Sequence, residues 1–285
     1  MKKIKFFALA LTLLMGISFT SCLNNDSEAG YDGYGYLKII NSSYGGLQLK
    51  DLAGNIYLPT MSSVAALKQQ GVDLTSSDYN LAIVYWKWVE ETQNGSKAGV
   101  SRQVDLVAAQ PITKGKGAYP VTTLDDLVVG NEGPVMTLQP EIGYGSSAQS
   151  MLYGAEYVII PVQWRMKNDK DMLKQHTFNL YYVNKVSTDE NLHGNKTLAL
   201  YLLHDKGTDN EDKKNLVNAA NSFSFDIRNY MEQYKNEKGA YPNKVIIKAK
   251  VAMDGATLPT PGEDGTGKVW TDFEIDASFL NTNTK

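Results

Sequence analysis

Ser222-Phe223-Ser224-Phe225-Asp226-Ile227 alternates polar and apolar side chains without a break. Alternation with a period of two predicts a β-strand that buries one face. Val245 to Val251 nearly repeats the pattern, and further apolar segments fall at residues 156–167, 177–183, 197–204 and 269–275. We therefore expect about six or seven strands that form an antiparallel β-sandwich over residues 156–285.

The preceding part of the chain has shorter strand patterns and one helix signal. Strands are predicted at residues 36–40, 47–52, 56–58, 81–89 and 100–108. Ser62 or Ser63 can cap a brief helix over Val64 to Gln70, and Gly71 is placed to end it. Five strands with one small helix are typical of an OB-type barrel. We expect an all-β protein: a small OB-like barrel with one short helix at residues 36–119, a connector at 120–155, and then the sandwich.

The first 22 residues have the pattern of a bacterial lipoprotein signal. Lysines at positions 2, 3 and 5 precede an apolar run from Phe6 to Met15, and the segment ends at Cys22, the only cysteine of the chain. The 14 residues from Phe6 to Phe19 would span about 21 Å as a helix, which is too short for a bilayer core of about 30 Å. We expect residues 1–21 to be a cleaved signal peptide and Cys22 to be lipidated, with palmitate as a suitable acyl label.

The expected consequence is a permanent lipid anchor outside the cytoplasm. One acyl chain gives only marginal membrane binding, but each further buried methylene adds about 0.8 kcal/mol. Residues 22–35 begin with a polar, acidic segment that contains Asp26 and Glu28, and we expect them to form a flexible tether. The expected location is the outer membrane of a Gram-negative bacterium, at its periplasmic face or at the cell surface.

The charge balance argues against a nucleic-acid partner. The formal net charge of −3 becomes −6 once residues 1–21, which hold three lysines and no acid, are removed. Nucleic-acid binding needs a concentrated basic surface. Lys244, Lys248 and Lys250 alternate along a predicted strand, as on a solvated sheet face. The expected partners are the membrane, through the lipid anchor, and an envelope protein or a glycan.

The chain shows no constellation of residues that is typical of catalysis or metal binding. His176, His193 and His204 lack metal-ligand spacing, and we expect ordinary surface or edge histidines. Thiol catalysis is excluded in the mature domains, and no Gly-x-Ser-x-Gly elbow is present in the sequence. We expect no catalytic residues, no metal and no cofactor, and therefore a protein that is not an enzyme.

Two acidic loops leave calcium binding as an alternative. Neither loop has the ligand spacing of an EF-hand, so solvated loops are favoured. The first loop holds Asp205, Asp209, Glu211 and Asp212, and the second holds Asp254, Glu263 and Asp264.

Aromatic side chains on the strand at 81–89 are the candidate ligand-binding residues. Alternation places Trp86 and Trp88 on one face of the strand and Tyr85 on the other. Facing the barrel interior, the two tryptophans are core; exposed, their indole faces about 7 Å apart could stack on successive sugar rings or anchor a partner. Glycine-interleaved tyrosines before this strand either cover the barrel or form a small adhesive strip: Tyr31, Tyr34 and Tyr36.

Together these features resemble the NigD-like lipoproteins, which combine a signal ending in Ser-Cys, an acidic tether, an OB-like domain and a β-sandwich. The motifs that carry the resemblance are Ser21-Cys22, Gly33-Tyr34-Gly35-Tyr36-Leu37, Ile112-Thr113-Lys114-Gly115, Gly130-Asn131-Glu132-Gly133-Pro134, and Leu198-Ala199-Leu200-Tyr201-Leu202-Leu203-His204 followed by Phe223-Ser224-Phe225-Asp226. The resemblance covers nearly the whole mature chain. It implies an envelope lipoprotein without an agreed activity, for which a link to bacteriocin immunity has been suggested, and it transfers no catalytic or ligand residues.

The leading hypothesis is a non-enzymatic, lipid-anchored envelope protein that binds a protein or a surface polymer through its β domains. One alternative is a carbohydrate-binding accessory lipoprotein of a glycan uptake system, with Trp86 and Trp88 as stacking platforms. The other is a lipoprotein of the bacteriocin-immunity type.

Overall fold

A computed structural model describes residues 30–42, 46–89, 101–143, 146–183, 196–210, 215–252, 254–259 and 269–282. The chain divides into two compact units, one of which ends at Lys114 while the other continues from Gly115. Each unit has its own core of buried apolar side chains. Within the described ranges, no helix has the length and apolarity needed to cross a membrane.

The first unit is a closed barrel. Its elements are β1 (Gly33–Ser42), β2 (Gly46–Lys50), β3 (Ile56–Pro59), α1 (Met61–Gln69), β4 (Tyr79–Trp88) and β5 (Ser101–Lys114). Strand β1 pairs with both β2 and β4, β2 also pairs with β3, and β5 pairs with β4 and, in parallel, with β3. The sheet therefore closes on itself in the order β1-β2-β3-β5-β4, and the predicted OB-like barrel with one short helix is confirmed.

Helix α1 begins three residues earlier than predicted because its N-cap is Thr60, not Ser62 or Ser63. The Thr60 side-chain oxygen accepts the backbone N–H of Ser63 at 3.3 Å. Leu67 from the helix packs into the barrel core. Gly71 follows the helix with a φ of +88°, a conformation that glycine adopts without strain, and so ends it as predicted.

The second unit is built from two larger sheets. The strands are β6 (Lys116–Val121), β7 (Glu132–Gly133), β8 (Glu141–Gly143), β9 (Ser146–Ser147), β10 (Met151–Tyr153), β11 (Tyr157–Lys167), β12 (Thr177–Val183), β13 (Thr197–Asp205), β14 (Leu216–Asp226), β15 (Lys244–Ala249) and β16 (Thr271–Asp276). One sheet has the order β16-β15-β13-β12-β6, with β7 beside β13, and the other contains β10-β11-β14. Strands β8 and β9 pair only with each other in the described sheets. The helices are α2 (Lys170–Leu173) and α3 (Arg228–Lys238), with 3-10 turns at Leu124–Asp126 and Ser278–Asn281.

Side chains from both sheets form the core of this second unit, as a β-sandwich requires. Trp164 of β11 and Phe178 of β12 are each 1% exposed, and their rings meet edge to face at 5.0 Å. Phe223 and Phe225 are buried as the alternation of β14 predicts. Ser224 between them is also buried, and its backbone oxygen accepts the N–H of Gly115. The predicted all-β class, with a sandwich after the barrel, is confirmed.

The sandwich contains parallel pairs, although the sequence analysis expected antiparallel sheets. Strand β6 runs parallel to β12, and β13 runs parallel to β15. Each of these pairs joins strands that are separated along the chain by at least one whole strand of the other sheet. Parallel neighbours require a long crossover of this kind. Alternation locates strands but does not give their direction, which is why the parallel pairs could not be predicted.

The division between the units falls just before β6. Residues 116–119, which the sequence analysis assigned to the barrel domain, pair with β12 of the second unit. The expected connector at 120–155 contributes β7, β8, β9 and β10 to the same unit. Short strands interrupted by glycines look like a linker in the sequence, because each is too short to show alternation.

Candidate functional site

Trp86 is a core residue of the barrel, which was one of the two roles predicted for it. It is 6% exposed, and its ring packs on Gly33, the residue opposite it in β1. A Cβ atom at Gly33 would lie 2.6 Å from Cζ2 of Trp86. The close approach of the strand to the ring therefore depends on glycine. The buried ring offers no face to a ligand.

Trp88 lies half-buried at the end of β4. Its ring stacks on Tyr57 of β3, with ring centroids 5.9 Å apart and 23° between the planes. The guanidinium carbon of Arg102, at the start of β5, lies 5.3 Å from the centre of the Trp88 ring, which is a cation–π contact. These three side chains meet beside the end of β4 and the start of β5. We call Tyr57, Trp88 and Arg102 the barrel-rim site.

The two tryptophans do not form a paired platform for sugar rings. Their ring centroids are 6.0 Å apart, but the planes are inclined by 73°, so the rings meet edge to face. Stacking on successive sugars needs two exposed faces of similar orientation. A stacking role is thus left to Trp88 alone, while Trp86 supports it from the core.

Tyr57 is held in place by Asp51. Its hydroxyl donates to Asp51 Oδ2 at 3.1 Å, and the same carboxylate accepts the backbone N–H and the side-chain amide of Asn55 at 2.8 Å each. Burial, together with the charge of Asp51, raises the pKa of Tyr57 to about 12. Tyr57 is therefore a neutral, fixed neighbour of Trp88.

A strip of tyrosines lies on the outer side of β1 and β4. Tyr34 and Tyr36 occupy alternate positions of β1 and are 65% and 36% exposed. Tyr34 stacks on Tyr85, its partner in register, at 5.7 Å with 18° between the rings. Tyr31 meets Tyr34 and Tyr85 edge to face at 6.1 and 5.0 Å. We call Tyr31, Tyr34, Tyr36 and Tyr85 the tyrosine strip.

A buried polar cluster joins three side chains in the second unit, and the sequence analysis missed it. His176, His204 and Asp209 are only 4%, 2% and 4% exposed. His176 Nδ1 lies 2.8 Å from His204 Nε2, and His176 Nε2 lies 3.0 Å from Asp209 Oδ2. His204 Nδ1 lies 3.1 Å from the carbonyl oxygen of Pro134. The expectation of surface or edge histidines is therefore wrong for His176 and His204.

The hydrogen-bond pattern determines where the protons of this cluster lie. The Pro134 carbonyl can only accept, so His204 Nδ1 carries a proton, and in a neutral ring His204 Nε2 accepts from His176 Nδ1. Burial, together with neighbouring His176, lowers the pKa of His204 to about 3 and keeps the ring neutral. One further proton must occupy the bond between His176 Nε2 and Asp209 Oδ2, because two lone pairs do not attract each other.

The shared proton leaves the cluster without net charge. If the proton lies on His176, an imidazolium faces a carboxylate; if it lies on Asp209, both groups are neutral. Burial lowers the pKa of His176, and the Asp209 carboxylate opposes this effect. A buried site without net charge avoids the large cost of burying an isolated ion.

In the two predicted acidic loops, the carboxylates that the structure describes accept hydrogen bonds from N–H groups of the protein. Asp209 Oδ2 also accepts the backbone N–H of Lys167 at 2.8 Å. Asp205 accepts the backbone N–H groups of residues 130, 131 and 207, and Asp254 accepts those of residues 256 and 257. Among the described residues, no group of three or more His, Cys, Asp or Glu side chains is arranged to hold a metal ion. The remaining members of the two loops lie outside the described residues: Glu211, Asp212, Glu263 and Asp264.

One sequence signal pointed to this cluster. His204 follows six apolar residues of a predicted strand. This position favours a buried imidazole, and a buried imidazole needs a hydrogen-bond partner. The partners come from separate segments, since His176 lies 28 residues earlier than His204 and 33 earlier than Asp209. Periodicity within one strand could not have paired them.

The proposed lipidation site is not among the residues that the structure describes. The ranges outside it contain Cys22, the signal residues 1–21, His193 and residues 22–29 of the predicted tether. Their roles remain predictions from the sequence. The tether prediction is wrong for residues 33–35, which belong to β1 and pair with β4.

Comparison with known proteins shows that the fold recurs among solved structures. A Bacteroides fragilis protein described as a lipoprotein matches with a TM-score of 0.58 at 20% identity, over 86% of this chain and 97% of that chain. A NigD-like immunity protein from Bacteroides caccae matches with a TM-score of 0.41 at 15% identity, over 86% of this chain and 97% of that chain. No protein-family model and no curated protein sequence matches the chain. The likeness to the B. fragilis protein shows a shared fold.

Proposed function

We propose that the chain is a non-enzymatic, lipid-anchored cell-envelope protein of the NigD-like type that binds a protein or a surface polymer through its barrel. The observation that carries the proposal is the meeting of Tyr57, Trp88 and Arg102 at the barrel rim. Tyrosine, tryptophan and arginine are the residue types that dominate binding energy at protein interfaces. The proposed anchor is Cys22, and the proposed location is the outer membrane.

The position of the barrel-rim site supports a binding role. OB barrels bind their ligands on the face of strands 2 and 3 and through the loops that follow strands 1 and 4. Tyr57 lies on β3, while Trp88 and Arg102 flank the connection between β4 and β5. Trp88 and Arg102 therefore lie beside one of the connections that this fold uses for recognition, and Tyr57, which is 8% exposed, supports them from the core.

The geometry favours a protein or an anionic polymer over a neutral sugar. Tyr57 and Arg102 both contact the ring of Trp88, so a sugar ring would share the indole with two protein side chains. A partner that packs around the cluster leaves these contacts intact. The positive charge of Arg102 at the site favours a partner surface that carries negative charge.

A glycan is the second candidate, and the half-buried indole of Trp88 is the observation that favours it. A sugar that stacks on the face covered by Arg102 needs that side chain to swing away from the ring. We therefore expect an Arg102→Ala variant to bind a stacking sugar at least as well as the wild type, and to bind a protein partner more weakly.

The buried histidine cluster supports a role without catalysis. Both ring nitrogens of His176 and both of His204 already have protein partners. A general acid or base must reach the proton that it transfers. The ring nitrogens of both histidines therefore make structural hydrogen bonds and are not available for proton transfer to a substrate.

Site-specific crosslinking in intact envelopes tests the proposal. A photo-reactive amino acid replaces exposed Ser101, beside Arg102, and the matched control places it at Val128, which is 69% exposed in the second unit. We expect a discrete adduct from position 101 that disappears in the Trp88→Ala background and is not formed from position 128. Equal patterns from both positions would contradict binding at the rim. A glycan array with wild type and Trp88→Ala then decides between a protein and a sugar.

A further inference from the structure

The tyrosine strip is a surface that the proposed binding role does not use. Tyr34 and Tyr36 expose large aromatic rings side by side on one strand. A single exposed aromatic residue is ordinary, but a contiguous group marks an interaction surface. Tyrosine has an apolar ring and a polar hydroxyl, and it is enriched where an apolar phase meets water.

The strip is held in a fixed shape by contacts to β4. Tyr34 is stacked on Tyr85, and Tyr31 packs against both rings. Asp32, next to Tyr31, donates its N–H to the carbonyl of Trp86 at 2.8 Å and accepts the N–H of Trp88 at 2.8 Å. The chain is therefore pinned to the barrel at the strip, and the rings need little reordering to make a contact.

The covalent chain sets the distance between this strip and the proposed anchor. Eight Cα-to-Cα steps separate Cys22 from Gly30, and they span at most about 29 Å. Gly30 directly precedes Tyr31, so the chain from the anchor arrives at the strip itself. A membrane that holds the acyl chains is then a neighbour at high effective concentration, and a modest affinity suffices for contact.

We propose that the tyrosine strip docks on the phospholipid headgroup surface of the membrane that holds the Cys22 anchor. The tyrosine rings face the boundary of the acyl chains, and their hydroxyls stay among the headgroups. This inference rests on the anchorage at Cys22 in the proposed function. Docking of the strip would hold the barrel against the bilayer and add a second membrane contact to the acyl chains.

Surface labelling of the reconstituted lipoprotein tests the docking. The acylated chain is inserted into vesicles of phosphatidylethanolamine and phosphatidylglycerol, and exposed tyrosines are iodinated by lactoperoxidase, an enzyme too large to enter the bilayer. The comparison sample is the mature chain from residue 22, made without a leader and hence without acyl chains, mixed with the same vesicles. Tyr119, which is 45% exposed and lies outside the strip, serves as the internal reference.

We expect the Tyr34 label to be lost relative to Tyr119 in the anchored sample and retained in the unacylated sample. A Tyr34→Ser, Tyr36→Ser variant should no longer dock, so lactoperoxidase should label Tyr31 in the anchored sample. A Tyr119→Ser variant should still dock and keep Tyr31 protected from the label.

Equal labelling of Tyr34 in both samples, with acylation proven by mass spectrometry, would overturn the docking and leave the anchor intact. A wild-type chain without acyl groups would remove the anchor and the docking together. Protection of Tyr34 in native envelopes but not in pure lipid vesicles would show that a protein covers the strip, which also overturns the proposal.

Discussion

His176 and Asp209 meet through a hydrogen bond of 3.0 Å between Nε2 and Oδ2, with both side chains no more than 4% exposed. The bond ties the segment before β12 to the loop after β13. The same carboxylate oxygen holds the backbone N–H of Lys167 at the end of β11. One buried carboxylate thus fastens three segments of the second unit.

Replacing Asp209 should destabilise the protein strongly. Asp209→Ala leaves His176 and the Lys167 N–H without their acceptor, and we expect a loss of about 3 kcal/mol in the free energy of unfolding. Asp209→Asn should cost less, because an amide oxygen in place of Oδ2 still accepts the Lys167 N–H, although the same atom cannot also donate to a neutral His176. Urea unfolding measures both variants. Asp125→Ala, an exposed control, should stay within about 0.5 kcal/mol of wild type, and an equal loss in control and test would contradict the role of the cluster.

Folding stability should fall as the pH is lowered from about 6.5 towards 3. The pKa of His204 is lowered to about 3 in the folded protein by burial and by His176, whereas in the unfolded chain it is about 6.5. Between these values only the unfolded chain binds this proton. The contribution of His204 is therefore fully present above the unfolded pKa and declines by up to about 1.4 kcal/mol per pH unit as the pH falls.

Urea unfolding across this pH range measures the effect against a His204→Gln variant. Glutamine can donate to Pro134 and accept from His176 but does not titrate in this range. We expect a shallower loss of stability in the variant, since the acidic residues titrate in both proteins and cancel in the comparison. Parallel curves for wild type and variant would show that His204 is not held neutral.

Two neighbouring glycines should respond differently to alanine. A Cβ atom at Gly115 would lie 2.1 Å from Cε1 of Phe225, while one at Gly117 would meet nothing within 4 Å. We expect Gly115→Ala to lose about 1–3 kcal/mol through overpacking, and Gly117→Ala to change stability little. Thermal unfolding of the two variants provides the measurement, and similar midpoints would contradict the close contact between Gly115 and Phe225.

Substitution of Trp86 should mainly lower folding stability, whereas substitution of Trp88 should mainly weaken binding. Trp86→Ala removes a buried ring from the barrel core and should cost about 3–5 kcal/mol. Trp88→Ala should cost less, because this ring is half-buried, and it should abolish the adduct from position 101. Urea unfolding and crosslinking of the same two variants give both readouts. A folded Trp88→Ala protein that still forms the adduct would separate the partner from the barrel-rim site.

The strands of the barrel could be predicted because each one shows its own alternation and the turns between them contain glycine and asparagine. In β4, the residues Ala82, Val84 and Trp86 are buried on one face, as a period of two requires. Closure of the barrel, by contrast, depends on the parallel pairing of Ile56 with Ser101, which only the folded chain brings together.

The candidate sites were less predictable because their members come from separate strands. Alternation correctly placed Trp86 and Trp88 on one face, but it could not show that Gly33 would seat one ring in the core and that Arg102 would cover the other. The histidine cluster depends likewise on the pairing of Phe178 with His204 across β12 and β13. Contacts of this kind follow from strand register, which local patterns do not contain.

Anchorage outside the cytoplasm depends on the state of Cys22 in the mature protein. Mass spectrometry of the N-terminus, combined with labelled palmitate in wild type and Cys22→Ala, measures it. We predict a chain that begins at Cys22, carries a diacylglyceryl thioether and fatty acid, and is found in the outer-membrane fraction, with the label absent from Cys22→Ala. A wild-type chain that keeps residues 1–21, or one that is soluble and carries no lipid, would contradict it.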